Sequence, residues 1–192
     1  SLVVEGRLNA EGTEENPIHF TSNSSTLKPG GWLGMILQGE EASASKISYL
    51  EIEYASTGIT FRDTTPTLTH VNVSHSRYAG MYLDEGAHLL MSQVTLSENH
   101  IGLQVEAEAS LEMTDSEIFH NEHGFYLYEG SLSETNLHVH RSRIYENRSL
   151  NIYVGYFLVD PDAPFNLDFR ENWWGTQDTS LVDLSIIDFN DP

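Results

Sequence analysis

The sequence predicts an all-β fold: one right-handed parallel β-helix, a solenoid of about six coils of ~22 residues, closed by a C-terminal capping segment. Three observations predict it. Gly58, Gly80, Gly102 and Gly124 recur at intervals of 22 residues. Each opens a phrase of glycine, apolar, any residue, apolar: Gly58-Ile59-Thr60-Phe61, Gly80-Met81-Tyr82-Leu83, Gly102-Leu103-Gln104-Val105 and Gly124-Phe125-Tyr126-Leu127. Ahead of the glycines stands a second phrase, an apolar residue followed three places later by Asn, at Leu96 to Asn99, Ile118 to Asn121 and Ile144 to Asn147. A further apolar position precedes it, at Ile47, Leu68, Met91, Met113 and Val139.

A fixed period in the low twenties marks one structural unit stacked on itself. Alternation over three or four residues fits short strands with one buried face, not helices of period 3.6. Three short strands per turn give a β-helix, whose coils rise by about the ~4.8 Å interstrand spacing. An antiparallel sandwich would not hold a constant phase along the chain.

The elements follow in order. Residues 1–192 read as a single domain. Within 1–45, Val3 to Phe20 and Trp32 to Leu37 form an incomplete opening coil, interrupted by a polar Gly/Pro/Ser-rich loop at 21–31. Residues 46–154 carry the regular coils; the fifth aligns Val139, Ile144, Asn147 and Val154, with a step of 26 from Asn121 to Asn147. A loop at 155–164 containing Asp160 and Asp162 then protrudes. Residues 165–192 hold the last coil, begun by Leu167 to Asn172, and a cap in which Ser180 opens an amphipathic helix or a final strand. Either form would cover the open end of the rod. The segment at 1–22 has no basic start and no long apolar stretch, so it reads as strand and turn entered mid-fold, as in an excised fragment or a mature chain.

Composition restricts the function classes. With 29 acidic residues against 9 Lys and Arg, the chain carries a formal charge of −20. Phosphate binding needs clustered cations, so nucleic acid is excluded as a partner, and polyanionic polysaccharides are disfavoured. No run of eighteen apolar residues is present to span a bilayer. Without cysteine there are no disulfides and no thiolate metal sites, and stability must come from stacking.

Leu8-Asn9-Ala10-Glu11-Gly12-Thr13, Asn16-Pro17-Ile18-His19-Phe20-Thr21-Ser22 and Gly31-Trp32-Leu33-Gly34-Met35 resemble the opening of secreted proteins of the pectate-lyase-like, parallel β-helix-repeat superfamily. Glu171-Asn172-Trp173-Trp174-Gly175-Thr176, with Ile187-Asp188-Phe189-Asn190, is similar to the end of such repeat regions in bacterial and archaeal surface proteins. The resemblance covers nearly the whole chain. It implies the fold, a secreted or cell-surface location and membership of a larger surface protein. It leaves activity open, because the superfamily holds lyases, hydrolases, epimerases, adhesins and spacers. The polygalacturonase-like pattern of Asn-Thr-Asp, Asp-Asp and Gly-His-Gly is absent, and the strands carry few cations of the kind a lyase base needs.

The register turns the sequence into surface columns. Asn99, Asn121, Asn147 and Asn172 should stack at one corner, taking left-handed backbone angles and bonding the next coil. Tyr54, His75, Glu98, His120 and Glu146 form a second column. An acid/base pair drawn from it, Glu98 with His75 and His120, would serve a polysaccharide lyase or hydrolase; the same row also reads as a solvated ladder of unlike neighbours. A third column holds Thr60, Tyr82, Gln104, Tyr126 and Tyr153, a platform on which sugar rings would stack and hydrogen-bond, or simply aromatics packing along strands. Asp84 and Glu106 should stack, and a calcium ion would relieve their repulsion; Glu85, Glu108 and Glu129 share that turn. His138 and His140, two apart on one strand, offer weak chelation. The sequence-level reading is therefore a non-catalytic surface module binding glycan through a strand face, with the enzyme and a passive spacer as alternatives, and no cofactor beyond calcium.

Overall fold

The computed structural model describes residues 1–84, 86–106, 108–127, 135–155 and 166–187. Its strands begin with β1 (Leu2–Val4), β2 (Asn9–Glu11), β3 (Ile18–Phe20), β4 (Met35–Gln38), β5 (Lys46–Glu53) and β6 (Ile59–Arg62). They continue with β7 (Thr67–Ser74), β8 (Ala79–Leu83), β9 (His88–Ser97), β10 (Ile101–Val105), β11 (Ser110–Thr114) and β12 (Glu117–Phe119). The chain closes with β13 (His123–Leu127), β14 (Asn136–His140), β15 (Arg143–Tyr145), β16 (Leu150–Val154), β17 (Asn166–Asp168), the helix α1 (Thr179–Asp183) and β18 (Ile186–Ile187).

All pairings between these strands are parallel, and they form about five turns of roughly 23 residues. One sheet, here the glycine sheet, stacks eight strands in the order β1-β4-β6-β8-β10-β13-β16-β18. The second, the bent sheet, runs β17-β14-β11-β9-β7-β5-β2, with β3, β12 and β15 continuing its other limb. The three strands per coil expected from sequence are present. In the middle coils the first two merge into single strands of eight to ten residues, β5, β7 and β9, bent at Tyr49, His70 and Gln93, whose φ values are 48°, 54° and 55°.

The core is a set of vertical apolar columns. Met35, Ile59, Met81, Leu103, Phe125 and Ile152 stack along the glycine sheet, and Ile47, Leu68, Met91, Met113 and Val139 along the bent sheet, all buried. Burying each such side chain contributes about 1.5–3 kcal/mol, and no coil can do so without its neighbours.

The glycines are dictated by contact, not by backbone angle. A Cβ at Gly102 would stand 2.6 Å from Ile118 Cγ2 and 2.7 Å from the Gly124 carbonyl oxygen. At Gly80 it would meet the Gly102 oxygen at 2.8 Å, and at Gly124 the Asn147 amide at 2.6 Å. Successive coils approach too closely here for any side chain.

Two expectations change. Asn99, Asn121 and Asn147 form a ladder: the Asn99 and Asn121 backbone N–H groups donate to the side-chain oxygens of Asn121 and Asn147 at 2.9 and 3.0 Å. Their side-chain amides cap the strand carbonyls of Val73, Leu96 and Ile118. Asn172 is not part of it. Its oxygen accepts from the Ser142 N–H at 2.9 Å, placing it at the other corner above Ser116 and Ser142. The left-handed angles, moreover, belong to the residue before each Asn (Glu98, His120 and Glu146, φ 56°, 56° and 51°) and not to the Asn.

The ends also resolve. β1 to β3 complete the opening coil, with Leu2, Val4, Leu8, Ile18, Phe20 and Trp32 packed on the core. At the far end both the helix and the strand form: Asp178, not Ser180, caps α1 by accepting from the Ser180 N–H at 3.0 Å, and β18 pairs with β16. The helix leaves Leu181 and Leu184 exposed at 55% and 76%, so the strand covers the sheet and the helix does not. Glu85, Glu129 and the loop carrying Asp160 and Asp162 lie outside the described residues.

Candidate functional site

The Glu/His column owes its position to backbone geometry. Tyr54, His75, Glu98, His120, Glu146 all adopt positive φ, which bends the chain between the bent sheet and the glycine sheet and turns their side chains outward. Tyr54 and His75 stack with centroids 4.9 Å apart. His120 sits between carboxylates, with Nε2 3.0 Å from Glu146 and Nδ1 3.7 Å from Glu98, while Arg148 approaches Glu98 at 3.6 Å. His120 and Glu98 are 47% and 42% exposed, on a convex corner. Water reaches both side chains and screens their pairing.

The Tyr/Gln column lies where the register puts it. Thr60, Tyr82, Gln104, Tyr126 and Tyr153 are Cα neighbours up β6, β8, β10, β13 and β16. Tyr126 and Tyr153 stack on each other, centroids 4.6 Å apart and planes 25° from parallel. Each therefore covers a face of the other. Tyr82 donates its hydroxyl to Glu106 at 2.9 Å, and the Gln104 amide reaches the same carboxylate at 3.4 Å. Burial first, then the Glu106 hydrogen bond and charge, hold the Tyr82 phenol well above its usual range, so it stays a donor.

This column belongs to an unusual surface. The eight strands of the glycine sheet contain no Asp, Glu or Lys, and their one Arg, Arg62, ends its strand. The column is extended at its two ends by Val3 and Ile187, 47% and 40% exposed. Against 29 acidic residues in the chain, these strands contain none, and Glu106 reaches the column from the turn after β10.

Asp84 and Glu106 do follow aligned residues, Leu83 and Val105. Asp84 is paired with Arg62 one coil below, Nε to Oδ2 at 2.6 Å, and Glu106 takes the Tyr82 and Gln104 donors. Arg62, Tyr82 and Gln104 are thus protein partners of these two carboxylates.

On the bent sheet, His138 and His140 project from β14, and β17 sets Asp168 directly beside His138. His138, His140 and Asp168 each offer a ligand atom within 4.8 Å of the others. His140 Nε2 lies 3.4 Å from Asp168 Oδ2. Arg170 grips both Asp168 oxygens at 2.8 and 2.6 Å, and chiefly through those bonds holds the carboxyl well below the usual range. Asp168 escaped the sequence reading because 30 residues, not 22, separate it from His138. The repeat of two-residue spacing in Asn166 to Asp168 and Asn136 to His138 was the available signal.

Neither a curated protein nor a solved structure matches the chain. The family model of the right-handed β-helix region matches residues 34–161, two thirds of the chain, spanning every regular coil described above. By its stacked parallel coils and by this match, the protein belongs to the right-handed β-helix family.

Proposed function

We propose that this protein is a non-catalytic secreted or cell-surface module, part of a larger surface protein, that binds an uncharged glycan along the glycine sheet. One observation carries the reading: the eight strands of that sheet contain no Asp or Glu although the chain carries 29, and the carboxylates at its edge, Asp84 and Glu106, are engaged by Arg62 and by Tyr82 and Gln104. A face whose strands lack acidic residues, lined by Tyr82, Gln104, Tyr126 and Tyr153, offers polar aromatic and amide groups to sugar hydroxyls and apolar edges to sugar carbons. Because Tyr126 and Tyr153 stack on each other, recognition there uses ring edges and hydroxyls in place of the open ring faces expected from sequence. Neutral polymers suit it better than polyuronates, which the surrounding charge of −20 repels.

An array of neutral and acidic oligosaccharides tests this with the wild type and a Tyr82→Ala, Tyr126→Ala double variant. The expected result is binding to neutral glycans by the wild type and its loss in the variant. Absence of binding by either protein returns the reading to a passive spacer. Release of reducing ends that stops in Glu98→Gln would instead establish the enzyme built on Glu98, His75 and His120.

A further inference from the structure

We infer that His138, His140 and Asp168 form a binding site for a divalent transition metal, zinc being the reference ion. The three come from adjacent parallel strands of the bent sheet, away from the glycan face. A two-residue spacing on β14 points both imidazoles outward on one side, and the His138–Asp168 register brings the carboxylate alongside. Their ligand atoms lie within 4.8 Å of one another. Tetrahedral zinc, with bonds of about 2.0–2.2 Å, brings its ligand atoms to roughly 3.3 Å apart, a closure within reach of small side-chain rotations. Two nitrogens and one oxygen suit zinc and its neighbours, and not calcium, which takes oxygen.

Groups around the trio fit the same use. Arg170 holds Asp168 through both oxygens, so a metal at Oδ2 displaces one arm while the Nε bond to Oδ1 keeps the carboxylate oriented. Arg170 is 81% exposed and its outer nitrogen can turn into water. Asn166 donates to His138 Nε2 at 3.0 Å; it too is exposed and yields that lone pair by turning aside. On the other side of His138, Glu112 occupies the paired position of β11, adding negative charge. Beside it opens a groove of about 450 Å³ lined by His138, Glu112, Asn136 and His88, through which water reaches the fourth coordination position.

Calorimetry of tag-free, chelator-washed protein with zinc chloride tests the site, with cobalt(II) chloride absorption as an independent readout. One zinc per chain is expected, with at least tenfold weaker binding in both His140→Ala and Asp168→Asn. Cobalt should give the intense visible bands of a tetrahedral site in the wild type and lose them in both variants. Because the three side chains are partly buried but lie outside the apolar core, melting curves of the metal-free variants beside the wild type separate lost ligation from lost folding. Failure of zinc to bind below about 100 µM, or equal affinity in the His138→Ala, His140→Ala double variant, would overturn the assignment.

Discussion

The side-chain oxygen of Asn121 accepts two hydrogen bonds from Asn99, one from its backbone N–H at 2.9 Å and one from its amide at 3.1 Å. The Asn121 amide meanwhile caps Leu96 and Phe119 and donates to the Asn147 side-chain oxygen at 3.1 Å. One side chain thus joins three coils, at a corner where successive glycines have let the backbones close together.

Asn121→Ala removes every one of these bonds and leaves the buried Asn99 N–H unpaired. An orphaned buried group costs about 1–3 kcal/mol, and here donors and acceptors are lost together, so a loss of ~3 kcal/mol is expected. Urea unfolding should show the midpoint falling at constant slope. A change below ~1 kcal/mol would mean that the ladder is ornament, not support.

Gly102→Ala places a methyl against Ile118 and the Gly124 carbonyl, which is backbone and cannot swing away. Overpacking of this kind costs about 1–3 kcal/mol. Gly6→Ala is the control: nothing lies within 4 Å of its Cβ, and a change near zero is expected. Equal melting temperatures for the two variants would contradict the steric account of the glycine period.

His123 predicts a pH effect. Burial, and then the neighbouring His100, depress its basicity, and among the described residues its Nδ1 is buried with no hydrogen-bond partner. The folded state therefore binds a proton less readily than the unfolded chain. Its contribution is fully present above the unfolded value near ~6.5 and is lost as pH falls through the lower folded value. The melting temperature should drop between about pH 7 and pH 5, and less steeply in His123→Gln. An identical pH profile in both proteins would remove His123 from the explanation.

Glu98 holds a left-handed backbone that favours glycine, at a cost of about 1–2 kcal/mol. Its exposed pairings with His120 and Arg148 return about 0–1 kcal/mol. Glu98→Gly should then be neutral or slightly stabilising in urea, while Glu98→Ala should not gain. A loss above ~1 kcal/mol in Glu98→Gly would show the carboxylate to matter more to the corner than its backbone does.

The vertical columns were legible because a strict 22-residue step on four glycines leaves one register. Tyr82, Gln104, Tyr126 and Tyr153 fell into line even across the 27-residue step from Tyr126 to Tyr153, each strand carrying its own phrase. Asn172 was misplaced for a physical reason. Both corners use the same local grammar, an apolar residue, one more, a left-handed residue, then a small polar one: Met113 to Ser116 and Val139 to Ser142 at one corner, Ile144 to Asn147 at the other. Only the strand that follows distinguishes them. The absence of acidic residues from the glycine-sheet strands emerged once the strands were assembled, since those residues sit in the turns between them. Asp168 was hidden by the long step before β17.

The central claim is that the outward face of the glycine sheet, whose strands carry no acidic residue, is the binding surface. The most direct measurement is the affinity for a neutral oligosaccharide, by calorimetry, in Gln104→Glu and in Glu51→Gln, which alters the bent sheet instead. A single carboxylate at the middle of the Tyr82–Tyr153 column should weaken binding at least tenfold, and Glu51→Gln should leave it unchanged. Equal affinities in the two variants, or a glycan bound no differently when Gln104 becomes charged, would contradict the assignment.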